Sequence, residues 1–191
     1  MKLVKKIIFP LCSAFLLYRS VELISTLISA KPEFYNLVEV LLIAFLLNLF
    51  ITGVFAFLGF AYTTYYLLPK SYYKINNPNK LKKYYNLFGV KYFKTFLLVV
   101  FWGKKGNRKK YFDGTKKGFD NFIFQTKQSE FGHFGSFIVL SLVSILLIGS
   151  NHYLIAGLAV IINIIGNLYP VILQRFHRMR IEKILSLKTS S

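Results

Sequence analysis

The sequence has one cysteine and few acidic residues, and each shortage excludes a class of protein. Cys12 is alone among 191 residues, so one chain can form neither an internal disulfide nor a cysteine-based zinc site. Only 7 residues are Asp or Glu, whereas 25 are Lys or Arg, and the formal net charge is +18 at pH 7. In a soluble protein this excess would indicate nucleic-acid binding. Whether it does so here depends on where the charges lie.

Long apolar runs place the chain outside the range of soluble domains. Hydrophobic residues make up 54% of it, and the mean hydropathy is +0.48. Four runs predict transmembrane helices at about residues 7–29, 38–66, 134–148 and 153–173. We therefore predict an all-α integral membrane protein with a single membrane domain over residues 1–191. A transporter built from two repeated halves would need more helices than this length supplies.

Basic residues are concentrated in the longest polar loop. Residues 69–133 contain 15 Lys and Arg but only 3 acidic residues, and both the N-terminus and the tail at 174–191 are basic as well. The positive-inside rule then predicts four spans, with both termini and this loop in the cytoplasm (N-in/C-in). Lysines in such a loop lie against anionic headgroups, so we expect membrane lipid and no nucleic acid as a partner.

Two segments of this loop have helical character. In Leu81–Trp102 aromatic and aliphatic residues alternate with lysines, and the apolar part is too short to span a membrane. This pattern predicts an amphipathic helix in the cytoplasmic interface or a re-entrant wedge. Further along, Asp120 is a predicted N-cap for a long helix that enters the membrane near Glu130.

Glu130 and His133 stand three residues apart, just before the third span. In a helix they share one face. A carboxylate hydrogen-bonded to an imidazole fixes its tautomer and raises its basicity, which a general base for an alcohol requires. A hydrogen-bonded pair that caps a helix explains the same spacing without chemistry. A di-iron site would need a second Glu-x-x-His motif and further carboxylates, which the sequence lacks, so we expect no metal.

The fourth span carries a polar stripe of helical period. It consists of Asn163, Asn167, Pro170 and Gln174, followed by His177 or Arg178. Amides inside a membrane must face the helix bundle, water or a ligand, because unpaired burial is costly. Hydrogen bonding between helices explains the stripe as well as a binding site does.

A simple register argument favours a site. The two last spans form a hairpin that turns at residues 150 and 151, which places His133 level with Asn167 and Glu130 within a turn of Gln174. The unusual polar residues of the hairpin therefore lie near the cytoplasmic face. Arg175, Arg178 and Arg180 follow, and their guanidinium groups suit phosphate, although the positive-inside rule accounts for them equally.

Two separated elements resemble those of a known family. The first, after Asp113-Gly114, is Thr126-Lys127-x-x-Glu130-x-x-His133, and the second is Asn167-x-x-Pro170-x-x-x-Gln174-Arg175-x-x-Arg178-x-Arg180. Over about residues 69–188 the chain resembles the glycosyl-4,4'-diaponeurosporenoate acyltransferases of the staphyloxanthin pathway, which are small bacterial integral membrane proteins. The first two spans are less similar, and His177 stands where the family pattern has Asn.

The resemblance implies transfer of a fatty acyl group from an activated carrier to the primary hydroxyl of a glucosyl carotenoid. Acyl-CoA or another acyl carrier would be a co-substrate, with no further cofactor, and the acceptor would be a carotenoid or similar glycolipid. Direct transfer is favoured, because no Ser or Cys is an obvious nucleophile beside His133. The catalytic residues would be Glu130, His133 and Asn167. Residues that bind substrate or carrier would be Asn163, Gln174, Arg175, Arg178 and Arg180.

Two other functions stay open at this stage. A small membrane transferase of another kind, such as an isoprenoid methyltransferase, would also place polar and basic residues at the cytoplasmic face, but it would require S-adenosylmethionine as the donor. A non-enzymatic scaffold would use the polar stripe to bind a partner helix, so changes at Asn167 or Glu130 would reduce complex formation rather than turnover. A homo-oligomer is compatible with each of these functions.

Overall fold

A computed structural model describes the backbone of residues 2–100 and 116–189 and the side chains of residues 4–100 and 118–186. Within these ranges the regular secondary structure is helical throughout, which confirms the predicted all-α fold. The chain divides into two compact units, residues 1–64 with 132–168 and residues 65–131 with 169–191.

The described helices are separated by a few turns and short helical segments. Short 3₁₀ turns lie at Pro32–Phe34 and Thr64–Leu67, and a π-helical segment, Ile164–Leu168, joins the last two helices. The α-helices are α1 (Lys2–Ser29), α2 (Leu37–Ala61), α3 (Lys70–Tyr73), α4 (Pro78–Leu87), α5 (Val90–Val100), α6 (Lys116–Gly149), α7 (Tyr153–Asn163) and α8 (Tyr169–Thr189).

Within the described residues, four helical stretches are long and apolar enough to cross a membrane, and each overlaps one of the four predicted runs. The stretches are Val4–Ser29, Leu37–Ala61, Gly118–Gly149 and Tyr153–Ser186. The second helix ends at Ala61, earlier than residue 66, because Tyr62 is extended. The last helix continues well past residue 173, since the residues that follow are mostly good helix formers.

The long helix α6 begins before the residue that was expected to cap it. Asp120 lies inside the helix with an exposed side chain, so its prediction as an N-cap is wrong. Lys116 and Lys117, which are good helix formers, extend the helix toward its N-terminus. In contrast, α2 begins with a capping box, in which the side chain of Asn36 accepts from the N–H groups of Val38 and Glu39.

In the first unit, α1, α2, α7 and the second half of α6 share one hydrophobic core. Small residues on α2 and α7 allow their backbones to approach closely, and Asn48 links these two helices, because its Nδ2 donates to the carbonyl of Ala159 at 3.2 Å. Arg19 and Glu22, three residues apart on α1, form an ion pair. The buried core residues are Leu27, Val40, Ala44, Leu47, Ile51, Leu140, Val143, Leu147, Ile155, Ala156 and Ala159.

The turn between α6 and α7 holds the end of α1. Asn151 adopts a left-handed conformation, with φ of 65°, which reverses the chain. The next residue, His152, is buried, and its Nε2 lies 2.6 Å from the carbonyl oxygen of Leu27 and 3.2 Å from that of Ala30. Leu27 lies in the last turn of α1 and Ala30 directly follows this helix, so His152 supplies a donor to carbonyls at the helix end.

In the second unit, α3, α4 and α5 join the first part of α6 and the helix α8. The predicted amphipathic segment 81–102 is two short helices as far as Val100, while Phe101 and Trp102 lie outside the described residues. Gly89 separates the two helices with a φ of 63°, a conformation that side chains with a Cβ rarely adopt. Tyr85 of α4 stacks on Phe176 of α8, with ring centroids 3.9 Å apart.

Candidate active site

The first unit contains a polar network of uncharged groups around His133. The Nδ1 atom of His133 lies 3.0 Å from Oδ1 of Asn167, so the register predicted for the hairpin is confirmed at this pair. Nδ2 of Asn167 donates to Oδ1 of Asn163 at 3.0 Å and to Oγ1 of Thr52 at 3.1 Å. Asn163 and Asn167 are each 1% exposed, so water does not compete for these bonds.

The local backbone explains how the imidazole is held in this network. Proline has no N–H, so Pro170 cannot donate to the carbonyl of Gly166, its usual partner in an α-helix. That carbonyl is hydrogen-bonded to the His133 imidazole instead. Gly166 and Asn167 both lie in the π-helical segment Ile164–Leu168, and such segments occur frequently at functional sites.

The second unit contains a charged cluster around Glu130, whose side chain is completely buried. Its Oε1 accepts from Nε of Arg175 at 2.6 Å, and its Oε2 lies 2.7 Å from Nη1 of Arg178. The side chain of Arg175 is 30% exposed, whereas that of Arg178 is 0% exposed. The cluster thus places two cations around one anion.

Two tyrosines of α3 complete this charged cluster. Nη2 of Arg175 donates to the carbonyl of Tyr72 at 3.1 Å, and its guanidinium lies 4.6 Å from the centre of the Tyr72 ring. Arg178 makes the corresponding pair of contacts with Tyr73, at 3.2 and 5.6 Å. Burial, with the nearby Glu130 charge, raises the pKa of Tyr72 to about 12. The same causes raise the pKa of Tyr73, so both phenols stay neutral at physiological pH.

The predicted hydrogen bond between Glu130 and His133 is not formed, and each of these side chains has other partners. Both carboxylate oxygens of Glu130 are held by arginines, and His133 is held by Asn167. Charge-assisted bonds from guanidinium groups are about twice as strong as bonds between neutral groups, and a buried carboxylate requires such partners. The spacing within α6 therefore predicted the wrong partner for Glu130. The register of the hairpin, in contrast, correctly predicted that His133 lies beside Asn167.

The remaining predicted site residues have less constrained surroundings. Nε2 of Gln174 donates to Oγ of Ser129 at 3.3 Å, within the second unit. Arg180 is exposed. His177 meets Phe122 edge to face, with ring centroids 5.9 Å apart.

Thr52, Tyr72 and Tyr73 belong to the two networks but were missed by sequence reasoning. Thr52 is the only hydroxyl residue in the apolar run of α2, four residues after Asn48, and this polar spacing was the available signal. Tyr72 and Tyr73 resemble ordinary interfacial aromatics, and they contribute carbonyls and ring faces that no sequence pattern identifies.

Both networks lie in the part of the chain that matches a known family, apart from Thr52. The model of the glycosyl-4,4'-diaponeurosporenoate acyltransferase family matches residues 69–187, which is more than half of the chain. The chain belongs to this family. No curated protein matches the chain, and neither does any solved structure.

Membership confirms the resemblance found in the sequence. This member of the glycosyl-4,4'-diaponeurosporenoate acyltransferase family is an enzyme of the acyltransferase class. Its four long apolar helices make it a membrane protein. The family thereby implies, in general terms, an acyl donor and a lipid or carotenoid acceptor.

Proposed function

We propose that this acyltransferase moves a fatty acyl group from acyl-CoA, or another activated carrier, to a hydroxyl of a glycosylated carotenoid or similar lipid. No further cofactor takes part. The family match supports the reaction class, and the observation that carries the assignment of residues is the partly buried hydrogen bond of 3.0 Å between His133 and Asn167. An imidazole held by an amide in a membrane helix can accept a proton from an alcohol.

His133 acts as the general base in this proposal. It takes the proton of the acceptor hydroxyl while that oxygen attacks the carbonyl carbon of the acyl thioester. The tetrahedral intermediate then loses the thiolate, which receives the proton from the imidazolium, so an ester and a free thiol are formed. Both protons of the Asn167 amide group face Asn163 and Thr52. We therefore assign Asn167 to holding the imidazole rather than to binding the oxyanion.

The charged cluster is proposed to bind the carrier through its surplus positive charge. Arg175 is partly exposed and Arg180 is exposed, so both can contact phosphate groups of coenzyme A. Arg178 is fully buried against Glu130, which makes it a support for the cluster and not a contact for the carrier. Glu130 in turn orients Arg175 instead of acting on His133.

The proposed orientation has both termini and the loop that contains α3 to α5 on the cytoplasmic side of the bacterial membrane. The positive-inside rule supports it. Leu87, Tyr92 and Val99 are more than two thirds exposed, and lysines lie beside them on α4 and α5. Such a combination of apolar side chains and lysines suits the boundary between lipid and headgroups.

The proposal is tested with the full chain in lipid nanodiscs that contain a glucosylated carotenoid, to which acyl-CoA is added. Mass spectrometry should show a product heavier than the acceptor by one acyl group. His133→Gln should reduce its rate by about 100-fold or more. His177→Asn, which installs the residue of the family pattern, is the matched control and should retain the rate of the wild type.

Three outcomes would overturn the proposal. Full activity of His133→Gln would remove the base. A product heavier by one methyl group, formed only with S-adenosylmethionine, would identify a methyltransferase. If a folded wild type forms no product with any acyl donor, while Asn167→Leu releases a bound protein partner, a scaffold function would replace the enzymatic one.

A further inference from the structure

The uncharged network around His133 starts at a group that can only accept hydrogen bonds. Nδ2 of Asn163 lies 3.0 Å from the carbonyl oxygen of Phe137, one turn beyond His133 on α6. Ser141 also donates to this carbonyl, at 2.7 Å, and its oxygen accepts from the same Asn163 nitrogen at 3.4 Å. A carbonyl has no proton to give, so the nitrogen of the Asn163 amide must face it. The Asn163 oxygen consequently points the other way.

The orientation of the Asn163 amide fixes that of the Asn167 amide, which contacts His133. Oδ1 of Asn163 can only accept, so it must face the nitrogen of Asn167, which lies 3.0 Å away. Oδ1 of Asn167 is thereby turned toward Nδ1 of His133, also at 3.0 Å. An amide oxygen has no proton either, and therefore Nδ1 must carry one. A neutral imidazole has a single ring proton, so the Gly166 carbonyl, which only accepts, must share the proton on Nδ1, and the lone pair is left on Nε2.

Thr52 holds the Asn167 amide without setting its direction. Its hydroxyl oxygen lies 3.1 Å from Nδ2 and 3.3 Å from Oδ1 of Asn167. A hydroxyl both donates and accepts, and its proton rotates to suit the neighbour. The direction of the chain of bonds thus comes from the Phe137 carbonyl through Asn163.

We infer that Asn163 and Asn167 are positioning residues that fix the tautomer of His133, with the proton on Nδ1 and the lone pair on Nε2. The tautomer follows from the network alone. Only the role of Nε2, as the nitrogen that receives the proton of the acceptor hydroxyl, rests on the proposed function. Asn163 therefore acts through Asn167 and His133, and not by binding the substrate or its carrier.

Nitrogen NMR of the full chain in nanodiscs at pH 8, with ¹⁵N in its 3 histidines, tests the tautomer directly. The His133 signals are those that disappear in His133→Gln. The expected spectrum shows a protonated Nδ1 and an unprotonated Nε2. Asn163→Leu keeps the size of the side chain but breaks the chain of bonds, so it should give a mixture of tautomers and lower kcat about tenfold, with KM unchanged.

Ser141→Ala is the matched control, because it removes a neighbour of Asn163 and leaves the directional bond to Phe137 in place. It should keep both the tautomer and kcat. If Asn163→Leu does not fold, Asn167→Asp gives a second test. Its carboxylate still accepts from Nδ1 but cannot donate to Asn163, so the proton on Nδ1 should be retained.

A wild-type His133 that carries its proton on Nε2, or on both nitrogens at pH 8, would overturn the inference. So would an Asn163→Leu variant with the tautomer and kcat of the wild type. The proposed function fails separately, if His133→Gln is fully active although Nδ1 carries the proton. The reverse result, an essential His133 with its proton on Nε2, would leave the function standing and remove the positioning role.

Discussion

The two polar networks of this acyltransferase differ in how their buried polar groups are stabilised. The network of the first unit joins amides, a hydroxyl and an imidazole, and it needs no counter-charge. The cluster of the second unit buries Glu130 between Arg175 and Arg178. Neutral bonds each contribute modestly, whereas a buried charge without its partner is strongly destabilising. We therefore expect the neutral network to control chemistry and the charged cluster to control stability.

Removal of the central charge should have the largest effect. Glu130→Gln leaves Arg175 and the fully buried Arg178 without an opposite charge. The expected loss of stability is about 3–5 kcal/mol. Thermal unfolding in detergent measures it, with Glu182→Gln, an exposed acid on α8, as the control. Equal melting temperatures of the two variants would show that the cluster does not stabilise the fold.

A combined variant sharpens this test, because it removes the whole cluster instead of one partner. Apolar side chains of similar size can replace a buried ion triad at little cost in stability. Glu130→Leu with Arg175→Leu and Arg178→Met should therefore melt at a higher temperature than Glu130→Gln alone. If Arg175 binds the acyl carrier as proposed, the combined variant should nevertheless have a raised KM for acyl-CoA.

The neutral network depends on close packing between helices. A substitution that only disturbs this packing, without removing a hydrogen-bonding group, should therefore also destabilise it. A Cβ added at Gly135 would lie within 2.9 Å of the ring of Phe55, one turn after Thr52 on α2. Gly135→Ala should cost about 1–3 kcal/mol through this overpacking. Gly157→Ala is the control, since nothing lies within 4 Å of its added Cβ. A neutral effect of both variants would mean that the Phe55 ring moves aside freely.

Sequence periodicity was sufficient to predict the four long helices and the pairing of His133 with Asn167 in one of the two networks. Long apolar runs identified the four helical stretches, and the short turn at Asn151 fixed the register that brings His133 to Asn167. Periodicity misidentified the partner of Glu130, because a spacing of three residues within α6 pointed to His133, whereas the carboxylate is held by guanidinium groups that follow Ile164–Leu168 along the chain.

Other features had no usable signal in the sequence. In Leu81–Trp102 a lone glycine, Gly89, was only a weak sign of two helices instead of one, because the break depends on a single φ angle. The contribution of Tyr72 and Tyr73 is made largely by backbone carbonyls, which every residue possesses. Tertiary packing, and not local preference, selects which carbonyls meet the arginines.

The smallest predicted effect concerns the charged cluster at alkaline pH. Burial and Glu130 raise the pKa of Tyr72 from 10.0 to about 12, so the folded state holds this proton more tightly than the unfolded state. The corresponding stabilisation is complete below pH 10, and it is lost as the pH rises through about 12. Tyr72→Phe, which cannot ionise, should reduce the decline of the melting temperature between pH 9 and pH 11.5, while the effect at pH 7 stays small. Tyr92→Phe, an exposed tyrosine on α5, is the control. Parallel alkaline profiles for all three proteins would show that the Tyr72 phenol ionises as it does in water, and that the cluster does not extend its electrostatic influence to this ring.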